Sequence, residues 1–400
     1  MNKPTPQLNA IDLFSGAGGM SIGFTHAEFS IPLSVEQDAW ASETYKLNHP
    51  KTNLLTSDIR NVSESIFRNQ SGVDVVMGGP PCQGFSISAS NRRLKNDPRN
   101  FLYLDFLHAV AIINPRIVLI ENVNEIQKYR LENGKLLCVD IQERLNKMGY
   151  DSAVLTLNAY AFGVPQFRIR TFIIAGKQIN NFVFLATGLE RKSTDSLKQR
   201  GKPKRSVNLW DAISDLPSVI PGTVTEEAVF PYSTKPKNEY QKRMRKHSKF
   251  ITNHVPMRHT PRMIERFQHI IDGSSEESFP ALLTPRLRGN PQLASSKVYH
   301  QNHRKLLPNK PSTTITASFY SSFVHPFQPR NLTVREAARL QSFPDTFIFK
   351  GKRTTLSKKL LTKKGILGDL HLDQFNQVGN SVPPILAEEI AKTIREMLSQ

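Results

Sequence analysis

Apolar residues along the chain gather in short runs separated by polar, glycine-rich or proline-rich turns, and the runs show two periods. Residues 10–14, 31–35, 73–77 and 117–120 are nearly continuous apolar stretches of strand length, the pattern of strands buried on both faces. Residues 39–48, 103–113 and 136–148 instead repeat apolar side chains at helical spacing. Strand alternating with helix predicts an α/β fold with a mostly parallel sheet covered on both faces. Residues 153–157 and 171–175 add two strands, 313–318 reads as another, and 334–340 and 385–398 read as helices.

From about Lys177 the alternation stops and breakers take over, at Gly201-Lys202-Pro203, Pro217, Pro221-Gly222 and Pro236. A second, irregular domain is expected there. A chain of 400 residues accommodates two or three domains. No window approaches the roughly 18 apolar residues of a membrane helix, and the polar first ten residues carry no secretory pattern. The expectation is a cytoplasmic protein without membrane association.

Charge changes the picture more than composition does. The net charge is +19, and it is uneven: residues 1–176 carry 17 basic and 16 acidic side chains, whereas 177–328 carry 24 and 11. An excess confined to one region, beside a nearly neutral one, predicts a polyanion-binding face, with nucleic acid as the partner. Lys242-Arg243-Met244-Arg245-Lys246-His247, Arg286 and Arg288 are candidate phosphate contacts. The two cysteines, Cys82 and Cys138, cannot make a four-ligand zinc site, and the histidines lack metal-binding spacing, so no metal is expected. Cys138 reads as core.

Candidate chemistry collects where strands end. After the first strand comes Ser15-Gly16-Ala17-Gly18-Gly19-Met20, a glycine turn opening a helix. Ser21 stands where a dinucleotide fingerprint has its third glycine, so a nucleoside without a pyrophosphate suits the turn better. Glu36 closes the next strand, twenty residues after Gly16, where a carboxylate accepts ribose hydroxyls, and Asp58 is placed to take an adenine amino group. The strand at 73–77 runs into Gly78-Gly79-Pro80-Pro81-Cys82, a stiff turn presenting a thiol at the carboxyl edge of the sheet. Glu121 leaves the strand at 117–120 on the same edge. Arg168 and Arg170 alternate, offering forked donors to a base or phosphate.

Taken together, six stretches in order resemble the DNA cytosine-5 methyltransferases: Asp12 through Gly19, Gly79 through Ser86, Glu121-Asn122-Val123, Gln166-x-Arg168-x-Arg170, Arg339-Leu340-Gln341-Ser342-Phe343-Pro344, and Gln377-Val378-Gly379-Asn380-Ser381. The resemblance covers nearly the whole chain outside residues 180–310. It implies a Rossmann-like catalytic domain formed by residues 1–180 with 374–400, and a smaller target-recognition domain and hinge at 181–373. It implies S-adenosyl-L-methionine as methyl donor, with S-adenosyl-L-homocysteine as product, bordered by Phe14, Gly16, Gly18, Glu36, Asp58, Pro81, Leu102 and Asn380. Cys82 would add to cytosine C6, with Glu121, Arg168 and Arg170 securing the base.

The cytosine must leave the stack to be reached. The segment after Cys82, through Lys95, resembles a loop that closes over DNA, with Gln83 and Ser88 filling the vacated space and Arg92 and Arg93 on phosphates. The partner implied is double-stranded DNA, read by a monomer that modifies the sites of a cognate restriction endonuclease without stably binding it. Two other readings compete: an RNA cytosine-5 methyltransferase, and an inactive DNA-binding or cofactor-sensing protein. The intact Cys82, Glu121 and Arg170 argue against the latter, and the basic central region argues for DNA. Phe167 stands where a further arginine is frequent, and residues 350–364 form a basic insertion longer than in compact members.

Overall fold

The computed structural model describes residues 7–81, 98–198, 206–287, 290–294, 302–317, 319–356 and 358–399. Two compact units divide the chain: Met1–Val164, Arg168–Ser206 and Ser381–Gln400 form the first, and Pro165–Phe167 with Val207–Asn380 form the second.

In the first unit, β1 (Ala10–Leu13), α1 (Gly19–His26), β2 (Leu33–Glu36), α2 (Ala39–Asn48), β3 (Asn53–Thr56), α3 (Glu64–Arg68), β4 (Val75–Gly78), α4 (Leu102–Ile113), β5 (Ile117–Val123), α5 (Leu137–Lys147), β6 (Asp151–Asn158), β7 (Ile169–Gly176) and α6 (Phe182–Lys198) follow in order. The seven strands lie as β3-β2-β1-β4-β5-β7-β6. β1 to β5 pair in parallel, while β7 runs antiparallel to both β5 and β6. The continuous apolar runs sit in the centre: every residue of β1 and β4 is buried, as the absence of a polar face in those stretches requires. Helix starts follow local capping chemistry. Asp38, for instance, accepts the Ala41 amide at 3.0 Å to open α2.

The long helix α6 falls in the stretch expected to be irregular. Its polar face covers the outer edge of the sheet: the Thr156 amide donates to Glu190 and the Asn158 amide to the Ser193 hydroxyl, at 2.8 and 3.1 Å. Edge amides that would otherwise point outward are thereby satisfied by side chains.

The second unit holds α7 (Leu209–Ile213), α8 (Glu239–Arg245), α9 (Pro261–His269), α10 (Val334–Leu340), α11 (Lys358–Lys363) and α12 (Gln374–Asn380), joined by long loops and two-stranded pairings. Every residue of α10 is buried, charged ones included. Thr333 and Glu336 cap its start reciprocally, and Arg330 grips the Glu336 carboxylate with two bonds of 2.9 and 2.6 Å. Arg339 is enclosed by Asp345 and Asp215 at 2.6 and 3.0 Å. Such enclosed pairs specify one arrangement, because removing either partner strands a charge in a dry interior.

The strand expected at 313–318 is absent among its described residues. Side-chain bonds tie the stretch down instead: the Ile315 amide donates to the Gln166 side chain, and the Thr314 hydroxyl donates to the Phe167 carbonyl.

The chain ends in α13 (Pro384–Leu398), which belongs to the first unit and packs on α1. At the crossing stands Gly23, where an added Cβ would meet the Ala387 Cβ at 2.4 Å and the Pro384 carbonyl at 2.7 Å.

Candidate functional site

The carboxyl ends of β1, β2, β4 and β5 bring the candidate residues of the first unit to one edge. β1 passes into a turn whose backbone is left-handed at Phe14, Gly16 and Gly18, with φ of 60°, 54° and 96°. Above Gly16 the space is open: an added Cβ would meet nothing within 4 Å. Gly18 is closed in, since a Cβ there would stand 2.4 Å from the His49 imidazole.

Glu36, ending β2, is tied to this turn. One carboxylate oxygen accepts the Gly16 amide and the other the Asp38 amide, both at 2.7 Å. Burial pushes its pKa up, and the two amides hold it down. Two backbone bonds leave lone pairs on both oxygens for a ligand's hydroxyls. Asp58 lies beyond β3 and caps a single helical turn, with Arg60 folded back onto it. Leu102 heads α4 and is buried, and Pro81 is partly exposed at the end of the described turn. This edge therefore carries an open space over a glycine turn, one acid held by amides and a second acid further along, a set suited to a nucleoside.

Beneath the turn lies a network that sequence reasoning missed. Asp12, fully buried in β1, accepts the Ser21 hydroxyl at 2.6 Å, and Ser21 shares a second bond of 2.7 Å with Tyr45. Burial pushes the Asp12 carboxyl up to about 7. An acid inside an apolar strand, nine residues before a serine on the helix it feeds, was the available signal.

The second cluster forms where β4 and β5 end side by side, with Gly78 in register with Ile120. Gly79 faces the Glu121 carboxylate so closely that a Cβ would lie 3.1 Å from it. The Asn122 side-chain Nδ2 donates to the Pro80 carbonyl at 3.1 Å, fixing the proline turn to β5. Arg170 reaches the Glu121 carboxylate at 3.2 Å, and both side chains are only 13% and 12% exposed. Burial raises the Glu121 pKa, while Arg170 and then Arg168 pull it back down. Arg168 has no exposed surface; burial and Arg170 weigh against its charge, and Glu121 supports it. Glu121, Arg168 and Arg170 thus share one electrostatic environment beside the turn that leads to Cys82.

Cys82, Gln83, Ser88, Arg92, Arg93 and Arg288 fall outside the described residues. Asn380 ends α12 in the second unit. Gln166 is buried in that unit, donating to Leu340 and Gln341 at 3.2 and 3.0 Å. Arg286 is exposed and bonds the Gln292 carbonyl within a short hairpin. Arg245 is spent inward, over the Tyr232 ring and 3.3 Å from Asp215, rather than offered to phosphate. Cys138 is buried, its thiol pushed up to about 11 by burial alone.

Among the described residues, no helix is long and apolar enough to cross a membrane. The family of C-5 cytosine-specific DNA methylases matches residues 8–396. The type II methyltransferase M.DdeI of Desulfomicrobium norvegicum is 41% identical over 395 residues, covering 97% of this chain and 88% of the relative. The type II methyltransferase M1.HphI of Haemophilus parahaemolyticus is 33% identical, covering 98% and 87%. A crystal structure of an E. coli protein described as a DNA modification methyltransferase encoded within a prophage superposes with a TM-score of 0.70 at 26% identity, covering 98% of this chain and all of that one.

Proposed function

The chain belongs to the C-5 cytosine-specific DNA methylase family, and from that premise we propose that it is the sequence-specific modification enzyme of a restriction system, methylating C5 of a flipped cytosine in duplex DNA through a covalent bond from Cys82 to C6. When bound, S-adenosyl-L-methionine supplies an electrophilic methyl group and leaves as S-adenosyl-L-homocysteine. Its fit rests on the open space over Gly16 and on Glu36, whose amide-held carboxylate retains lone pairs for ribose hydroxyls. Phe14, Gly18, Pro81 and Leu102 would border the nucleoside and Asp58 would take its amino group.

The observation that carries the reading is the Glu121 carboxylate, packed on Gly79 and paired with Arg170 at the mouth of the Cys82 turn. Cytosine C5 is a weak nucleophile until a thiolate adds to C6 and pushes electron density onto C5. A carboxyl whose pKa burial has raised is suited to share a proton with cytosine N3 as that density builds. The arginines keep the carboxyl oriented, and Arg168 or Arg170 can donate to the base carbonyl. After methyl transfer, water takes the C5 proton, its electron pair re-forms the C5–C6 double bond, and the C6–S pair leaves on sulfur, which restores the ring and the Cys82 thiolate.

The basic excess of residues 177–328 supports duplex DNA as partner. The relatives' designations as type II methyltransferases support the restriction-modification setting; in this reading the enzyme works as a monomer in the cytoplasm, alongside an endonuclease of the same target and without a stable complex. Bisulfite sequencing of DNA from cells expressing the chain, with Cys82→Ser as control, tests the assignment. Protected cytosines at one recurring sequence, lost in the control, are expected. Identical conversion in both, with folded enzyme present, would refute it.

A further inference from the structure

Asp58 does not stand alone at its corner. Its Oδ1 accepts both the Arg60 amide and the Arg60 Nε at 3.0 Å, and its Oδ2 accepts Arg60 Nη2 at 2.7 Å. The guanidinium therefore grips both oxygens of a carboxylate two residues before it, leaving one lone pair on Oδ2 uncommitted. The Arg60 side chain is half exposed and that of Asp58 one-fifth exposed, so the free pair has access to solvent and ligand. The first turn of α4 approaches the same corner, because the charges of Arg60 and Asp58 both act on Asp105, three residues after Leu102.

We propose that Arg60 is a positioning residue for the cofactor's base: its forked grip fixes the Asp58 carboxylate in one rotamer, with the remaining Oδ2 lone pair presented to the adenine amino group. The proposal rests on the reading of Asp58 as the adenine acceptor. Held by the Arg60 amide alone, the carboxylate could still turn its Oδ2, and fixing that oxygen in advance removes the ordering cost from binding. It also sharpens selection, because an immobile acceptor cannot swing away from a ligand that offers an acceptor in return. Arg60 is thereby assigned a part in base specificity without touching the base.

The test compares S-adenosyl-L-homocysteine with S-inosyl-L-homocysteine, which carries a carbonyl in place of the amino group, by calorimetric titration of the full chain. Comparing two ligands on one preparation cancels any loss of folded protein. In Arg60→Ala the preference for the adenine ligand is expected to shrink about 3- to 10-fold, as suits one solvent-accessible forked pair. Arg60→Lys keeps the charge but not the fork, so it should resemble the alanine variant. Asp58→Asn should abolish the preference, since its amide can donate to the carbonyl. An unchanged preference in Arg60→Ala, or wild-type behaviour of Arg60→Lys, would overturn the positioning role while leaving Asp58 as acceptor. An undiminished preference in Asp58→Asn would overturn the acceptor reading and the proposal with it.

Discussion

Glu121 and Arg170 meet diagonally across two antiparallel strands: Glu121 is in register with Phe172 and Arg170 with Val123, yet their side chains close to 3.2 Å. The pairing holds a nearly enclosed carboxylate at the point where the Cys82 turn leaves the sheet.

Replacing Glu121 with Gln keeps the shape and removes the titrating proton. The rate of methyl transfer in a single turnover should fall about 100- to 1000-fold, the usual range for losing a proton-transfer partner that also stabilises charge. The dissociation constant for S-adenosyl-L-homocysteine should stay within about 2-fold, because the amide keeps the shape of the carboxylate and the change lies away from the nucleoside. Rapid quench and calorimetry measure the two. An equal loss in both would contradict the role assigned to Glu121.

Glu36 predicts the opposite split. Glu36→Ala removes the acceptor of the Gly16 and Asp38 amides and the proposed ribose partner together. Cofactor-product affinity should drop about 10- to 100-fold, as expected for a charge-assisted pair of bonds, with the saturated rate little changed. Titration calorimetry and saturation kinetics decide.

Asp12 predicts a pH dependence. Burial pushes its carboxyl from 3.8 up to about 7, so between those values the folded chain holds a proton that the unfolded chain releases. Stability from this group is fully present below the lower value and is lost as pH rises through the upper one. Asp12→Asn can still accept from Ser21 and should remove that loss. Urea unfolding should show the variant gaining on the wild type by about 2–4 kcal/mol between about pH 5 and about pH 8. A difference that does not change with pH would contradict the burial of an ionisable Asp12.

Gly23→Ala tests the contact between α1 and α13. The added methyl would press on the Glu388 amide and the Pro384 carbonyl, both at 2.7 Å, and backbone there cannot turn aside. A loss of about 1–3 kcal/mol in urea unfolding is expected for such overpacking. Unaltered stability would mean that the two helices separate freely.

The sheet was legible because its central strands have no polar face: residues 10–14, 73–77 and 117–120 can only be buried, and burial between helices makes them parallel neighbours. α6 was not legible, because its charged and hydroxyl side chains read as a solvated stretch, whereas Glu190 and Ser193 serve the amides of β6. The β-branched run Thr313-Thr314-Ile315-Thr316 misled for a related reason. Ile315 gives its backbone amide to the Gln166 side chain and Thr314 gives its hydroxyl to the Phe167 carbonyl, and among the described residues no strand ladder forms there.

Charge was legible only in bulk. Arg245, Arg330, Arg335 and Arg339 count toward the basic total, yet the first is largely covered and the others are fully buried. Sequence places Glu121 and Arg170 far apart, and only the β5–β7 register explains why they meet. The grip of Arg60 on Asp58 depends on a tight turn that two residues of separation do not announce.

The helix that covers Gly23 is synthesised after the whole of the second unit. A nascent chain extended as far as Asn380 already carries every strand of the sheet, yet α1 still exposes the groove into which Ala387 fits. Domains otherwise tend to fold as they emerge from the ribosome, amino-terminal parts first. Here one layer of the first unit, the one that backs the glycine turn, is made long after the strands it covers, so the turn acquires its final support only after the whole second unit has been made.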